Sequence, residues 1–372
     1  IGKAFGRFRT FRGSSGGIEM TDLYQKYANT GLGEWVPDGP VPQPEVRAEA
    51  GQGSVDKHAE SHKRAPQSLD QANVVRGVKA PPAKGWRKLV HGASGGRINP
   101  GASRKELAAG TLEEAMRTPL RGDYRIAVMS LKGGVGKTTK TVALGSVLAE
   151  SRGDRVIAID ANPDFGTLAQ RVAAPGPATI RDLLAASDTS RYAHVRGFTT
   201  QGASRLEVIG SERDPAVSEA FSEYDYRRAV DILQHHYNLI LTDCGTGLMH
   251  SAMAGVLDLA NTLILVSSPA LDGAQSASAT LDWLNLHGYD RLAANAVVVV
   301  SSATPKSPVN MDSVVAHFGA RTRAVHVIPY DPHLAEGAVV DIARLHPRTM
   351  QAYRELAATV ASDFGQWHKH AR

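Results

Sequence analysis

The chain has 372 residues, enough for two or three domains on the usual length prior. It is 42% hydrophobic and 21% charged, as in ordinary water-soluble folds, and no run of eighteen apolar residues is present to cross a bilayer. Its single cysteine, Cys244, excludes an internal disulfide and a cysteine-rich metal site, which fits a reducing cytoplasm.

The chain opens at Ile1 with no basic stretch followed by an apolar one, so no secretion signal is expected. The net charge of +5 is unevenly placed: residues 1–122 hold 19 basic and 12 acidic residues, the remainder 23 and 25. The densest stretch, 71–105, has eight basic residues and no acid, which suits either an anionic partner or a solvated tail. Residues 1–83 read as a disordered Gly/Pro-rich basic arm, too poor in periodic apolar residues to offset the entropy of ordering. Its opening alternates aromatic and basic residues (Phe5, Arg7, Phe8, Arg9, Phe11, Arg12). That pattern suits single-stranded nucleic acid, a membrane surface or simply an adhesive end.

Residues 84–122 read as a lead-in packing on the next domain. Gly85-Trp86-Arg87-Lys88-Leu89-Val90 contains an aromatic and two aliphatics that call for cover. Ser103 and Glu106 have capping-box spacing, which predicts a helix to about Met116. From 123 to 372, short Val- and Ile-rich runs alternate with amphipathic helices. Expected strands are Arg125–Leu131, Arg155–Asp160, Arg205–Ile209, Leu239–Asp243, Thr262–Ser267, Ala296–Ser301 and Ala324–Ile328. Expected helices are 137–152, 179–186, 223–236, 248–259, 274–287, 309–318 and 347–364. Strands without polar alternation are buried on both faces. The fold class is therefore α/β, a doubly wound, mostly parallel sheet with ligands at the carboxyl ends of its strands.

The strongest motif is Lys132-Gly133-Gly134-Val135-Gly136-Lys137-Thr138-Thr139, placed between a strand and a helix. Such glycines let backbone amides turn inward around phosphate oxygens. The helix start adds partial positive charge. Lys137 is suited to the β- and γ-phosphates and the Thr138 hydroxyl to Mg²⁺. Leu131 stands where a general phosphate loop has its first glycine, and Lys132 is a second lysine. This form resembles the deviant Walker A motif of the ParA/MinD family. The resemblance implies that Lys132 is the signature lysine, which reaches a partner's nucleotide in an ATP-sandwich homodimer.

Further segments extend the likeness. Val156-Ile157-Ala158-Ile159-Asp160 is followed by Ala161-Asn162-Pro163-Asp164, similar to the family's switch I. Asp160 matches its first acid, near Mg²⁺. Asn162 stands where the family usually has the acid that positions the attacking water. An amide cannot accept a proton, so hydrolysis should be slow unless Asp164 substitutes. Leu239–Asp243 resembles a Walker B strand, with Asp243 holding Mg²⁺ through a water, and Gly245-Thr246-Gly247 resembles switch II. Cys244 reads as a packed thiol. Ser301-Ser302 and Ile328-Pro329-Tyr330-Asp331 match segments that line the base, with Pro329 and Asp331 as candidate contacts. Asp331 and Glu336 are also candidates for a dimer partner.

Gly85-Trp86-Arg87, the Asp160–Asp164 switch, Thr242–Gly247 and Ser276–Leu284 look like the actinobacterial ParA/MinD-like proteins linked to type VII (ESX) secretion. That likeness implies a cytoplasmic accessory ATPase with ATP and Mg²⁺ as cofactors and secretion proteins as partners. Two alternatives stay open: a partitioning-type ATPase that binds DNA nonspecifically, and an ATP sensor with nearly silent hydrolysis. A membrane cycle is less expected, because no convincing amphipathic anchor follows Thr349.

Overall fold

The computed structural model describes residues 81–365, apart from 83–84, 163–165, 174–175, 177, 213–220, 249 and 302–308. The arm up to residue 80, Asp164 and Ser302 lie outside the described residues. Among the described residues, eight strands form one sheet in the order β3-β4-β2-β5-β1-β6-β7-β8. They are β1 Tyr124–Met129, β2 Val156–Ala161, β3 Thr200–Gln201, β4 Glu207–Ile209, β5 Leu239–Cys244, β6 Thr262–Ser267, β7 Val297–Ser301 and β8 Ala324–Ile328. Every ladder is parallel except β3–β4.

The helices that matter below are α1 Gly85–Ala93, α2 Arg104–Met116, α3 Lys137–Ser151, α4 Ile180–Ala185, α5 Tyr192–Arg196, α6 Glu223–Gln234, α7 Ser251–Leu259, α8 Leu271–Leu286, α9 Asp290–Ala294, α10 Met311–Gly319, α11 Pro332–Ala335 and α12 Pro347–Ala361. Both faces of the sheet are apolar, which is why its strands lack alternation. Ile126 and Val128 pack in a layer with Leu144 and Leu148 of α3 and Leu356 of α12. Ala127 and Met129 face the other layer, with Val256 of α7 and Leu281 of α8.

The lead-in divides into two parts. α2 opens on a true capping box: the Glu106 amide donates to Ser103 Oγ at 3.2 Å, and the Ser103 amide donates to Glu106 Oε2 at 2.6 Å. α2 packs on α12 and α3. Its end is fastened by Arg152, which donates to the carbonyls of Met116 (2.5 Å) and Thr118 (2.9 Å) and lies over the Phe364 ring. α1 departs from expectation, because Trp86 is 65% and Leu89 74% exposed rather than covered. Arg87 donates to the carbonyls of Gly101 and Ala102 at 3.4 Å, in the segment that leads from α1 into α2. No helix among the described residues is long and apolar enough to cross a membrane.

Candidate functional site

β1 ends at Met129 and α3 begins at Lys137, so the glycine loop sits at the carboxyl edge of the sheet's centre. Gly134 (φ +74°) and Gly136 (φ +86°) occupy the left-handed region that side-chain-bearing residues avoid. Beyond its chain neighbours, no described atom lies within 4 Å of where a Cβ would stand on Gly133 or Gly134, so the loop is not packed against on that side. Gly136 is the N-cap of α3 and supplies no side-chain cap. The opening amides of that helix are therefore left for an anion.

Two carboxylates stand beside the loop. Asp160 at the end of β2 is in register with Asp243 on β5, and they are 1% and 2% exposed. Asp160 accepts the amides of Asn162 (3.2 Å) and Leu168 (3.0 Å). Thr141 donates to Asp243 Oδ1 at 3.3 Å, and the Thr138 hydroxyl and Lys137 ammonium also favour the Asp243 anion. Burial pushes both carboxyls upward; for Asp160 the charge of Asp243 adds to it. Paired buried carboxylates next to a threonine hydroxyl form an all-oxygen donor set that fits Mg²⁺. The open amides and Lys137 fit phosphate oxygens.

The loop residues Lys132, Gly133, Gly134, Val135 and Gly136, with Thr139, line a cleft of ≈ 430 Å³ whose opposite wall includes Pro329 and Asp331. Thus the sequence-predicted residues fall into two groups, apart from Asn162: Asp160 and Asp243 at strand ends with Lys137 and Thr138 at the start of α3, and the rest around the cleft. Asn162 lies behind Asp160. With Asp160 and Ser211 it borders a void of ≈ 10 Å³, room for about one water molecule. Gly245-Thr246-Gly247 follow directly from β5. Cys244 is fully buried, and burial raises its thiol far above the usual range.

Asp331 has a backbone duty. Its carboxylate accepts the amides of His333 (3.0 Å) and His346 (2.9 Å). Burial opposes its charge, yet these amides hold it below the usual carboxylate range. It thereby helps to fix the wall of the cleft. Glu336 pairs with His333 and Arg344. Lys132 is ion-paired with Asp272 at the start of α8.

Three polar residues of the cleft escape sequence reasoning, Lys140, Arg171 and Ser268, as do Leu334, Ala335 and Gly337. Lys140 is 7% exposed, and burial, helped by Arg171, pushes its ammonium down to about 8. Ser268 Oγ is buried with no hydrogen-bond partner among the described residues. Lys140 lies in the polar first turn of α3, where no pattern singles it out, and Arg171 and Ser268 carry no local signal either.

A family profile described as an AAA domain matches residues 124–292. The chain is 40% identical over 284 residues to the ESX-1 secretion-associated protein EspI of Mycobacterium tuberculosis, a match that covers 76% of this chain and 42% of EspI. The chain thus spans less than half the length of that relative. Among solved structures, the cell-division ATPase MinD of Pyrococcus furiosus superposes with a TM-score of 0.53 at 21% identity, covering 64% of this chain and 98% of MinD. A ParA-family ATPase from Chlorobium tepidum superposes with a TM-score of 0.54 at 18% identity, covering 63% and 98%. At these identities the structural likeness speaks for the fold.

Proposed function

We propose that this chain, a ParA/MinD-like P-loop ATPase similar to the EspI proteins, is a switch that binds Mg·ATP, pairs with a second copy and hydrolyses ATP slowly. The observation that carries this reading is the buried Asp160–Asp243 pair set beside an open glycine loop, Lys137 and Thr138. Two carboxylates at that depth need a cation, and the uncapped start of α3 needs an anion. A metal-bound nucleotide tail satisfies both.

In this reading Thr138, Asp160 and Asp243 hold Mg²⁺, the last through a water. The amides of 133–139 and the Lys137 ammonium hold the phosphates. When bound, Mg²⁺ supplies charge neutralisation during phosphoryl transfer. Lys132 leaves Asp272 to complete the site of a partner copy. Asn162 can donate to or accept from a water but cannot take its proton, so turnover is slow. The likeness to EspI, whose name places it with ESX-1 secretion, supports a cytoplasmic accessory role beside a secretion apparatus.

Calorimetry with Mg·ATP tests this reading. Wild type should release binding heat and Lys137→Ala should not. Lys132→Ala should bind ATP yet show no ATP-dependent rise in light scattering. Absence of heat from wild type overturns the proposal. Binding of random DNA that falls steeply with salt favours the partitioning alternative instead.

A further inference from the structure

Lys140 projects from the first turn of α3 into the cleft rather than into solvent. Its ammonium is so close to the loop that a Cβ on Gly136 would lie 2.9 Å from Nζ. The side chain is 7% exposed, and a second cation, Arg171, lines the same cleft. Arg171 is half-buried on the same cleft, where its guanidinium reaches the Ala338 carbonyl at 3.5 Å. Two cations thus share a recess whose one acid among the described lining residues, Asp331, is engaged by backbone amides. A buried charge is costly unless a counter-charge meets it. Here no acid among the described residues of the cleft is left to supply one to Lys140, so a ligand anion can.

The position of the recess selects which part of a ligand. Lys137 and Thr138 are turned toward Asp243, at the metal end of the site. Thr139, Lys140 and Arg171 line the cleft with Pro329, Tyr330 and Leu334, away from the metal carboxylates. We infer that Lys140, backed by Arg171, is a second anion contact of the nucleotide cleft, directed at the inner phosphate that ATP and ADP share rather than at the terminal one. This rests on the nucleotide reading above and adds a binding role that neither lysine of the loop fills. Lys140 grips the nucleotide in both of its hydrolysis states. Lys132 and Lys137 act where the two states differ.

The test is equilibrium binding of fluorescent ATP and ADP, with Mg²⁺ present, to wild type, Lys140→Met and Arg171→Gln. Methionine keeps the length and apolar stem of the lysine and removes its charge. Lys140→Met should weaken ATP and ADP by the same factor, about tenfold or more, as for the loss of a charge-assisted hydrogen bond. Arg171→Gln should weaken both in parallel and by less, because it is half-exposed. The nucleotide-free Lys140→Met protein should melt no lower than wild type, since an unpaired buried charge has been removed. Unchanged affinities overturn the inference, as does a loss confined to ATP. A lower melting temperature for nucleotide-free Lys140→Met also overturns it, by showing that the ammonium only props the loop. If wild type binds neither nucleotide, the underlying reading fails, and the variants are not needed to show it.

Discussion

Lys132 and Asp272 form an ion pair that ties the glycine loop to the start of α8 within one chain. The lysine proposed to serve a second copy is thus engaged at home. Both side chains are well exposed, so the tie is easily exchanged. Asp272→Asn should favour ATP-dependent pairing, by no more than about fivefold in the dissociation constant, since surface pairs contribute little. Sedimentation velocity with Mg·ATP reads this directly. Weaker pairing in the variant would show that Asp272 serves the dimer instead.

The Asp160–Asp243 pair gives a pH dependence with a defined sign. Folding raises both carboxyls, by burial first and, for Asp160, by its neighbour's charge. The native state therefore retains protons that the unfolded chain has released. Stability of the nucleotide-free protein then falls as pH rises from the ordinary carboxylate range toward neutrality. Asp243→Asn should flatten that slope and stabilise the nucleotide-free protein near pH 7, on the order of 1 kcal/mol. It should also remove the Mg²⁺ dependence of ATP binding. Thermal melts across pH check the first outcome, and a steeper slope in the variant would contradict it.

Asn162→Asp places a proton acceptor at the small void behind Asp160. Turnover should rise about tenfold or more, as expected for gaining a general base or water-orienting acid. ATP affinity should change little. Single-turnover phosphate release separates the two effects. An unchanged rate would mean that the amide is not the brake.

Glu207 tests the fold away from the site. It is 2% exposed and accepts hydrogen bonds from the hydroxyls of Tyr192 (2.5 Å), Tyr237 (2.6 Å) and Thr199 (2.7 Å), with Arg196 Nε at 3.7 Å. Glu207→Ala leaves these donors unpaired at the join of β4 with its surroundings. Urea unfolding should show a loss on the order of 3 kcal/mol. Glu207→Gln should lose less, because the amide oxygen still accepts.

Periodicity in the sequence makes most of the sheet legible. The strands at Thr262–Ser267 and Ala324–Ile328 have the expected bounds. Errors fall at strand ends and at very short strands. β4 begins at Glu207, not Arg205, because Arg205 adopts φ +68° while its guanidinium donates to the carbonyls of Ala149 (2.6 Å) and Arg152 (2.8 Å). β1 stops at Met129 because Ser130 and Leu131 already belong to the turn into the loop. β3 is two residues long and partly exposed, too little for an apolar pattern to register. In the site, contiguous motifs announced the loop and both strand-end acids. Arg171 and Ser268 reach the cleft from separate segments, and no local pattern marks such convergence.

The bare beginning of α3 carries one more implication. A helix whose first turn has no side chain to close it depends on a visitor for its stiffness, and here the hinge-like glycines sit at that same spot. Deuterium uptake across 133–139 should accordingly act as an occupancy gauge, quick in the empty cradle and slow in the filled one, while the buried centre of the sheet keeps the same pace in both.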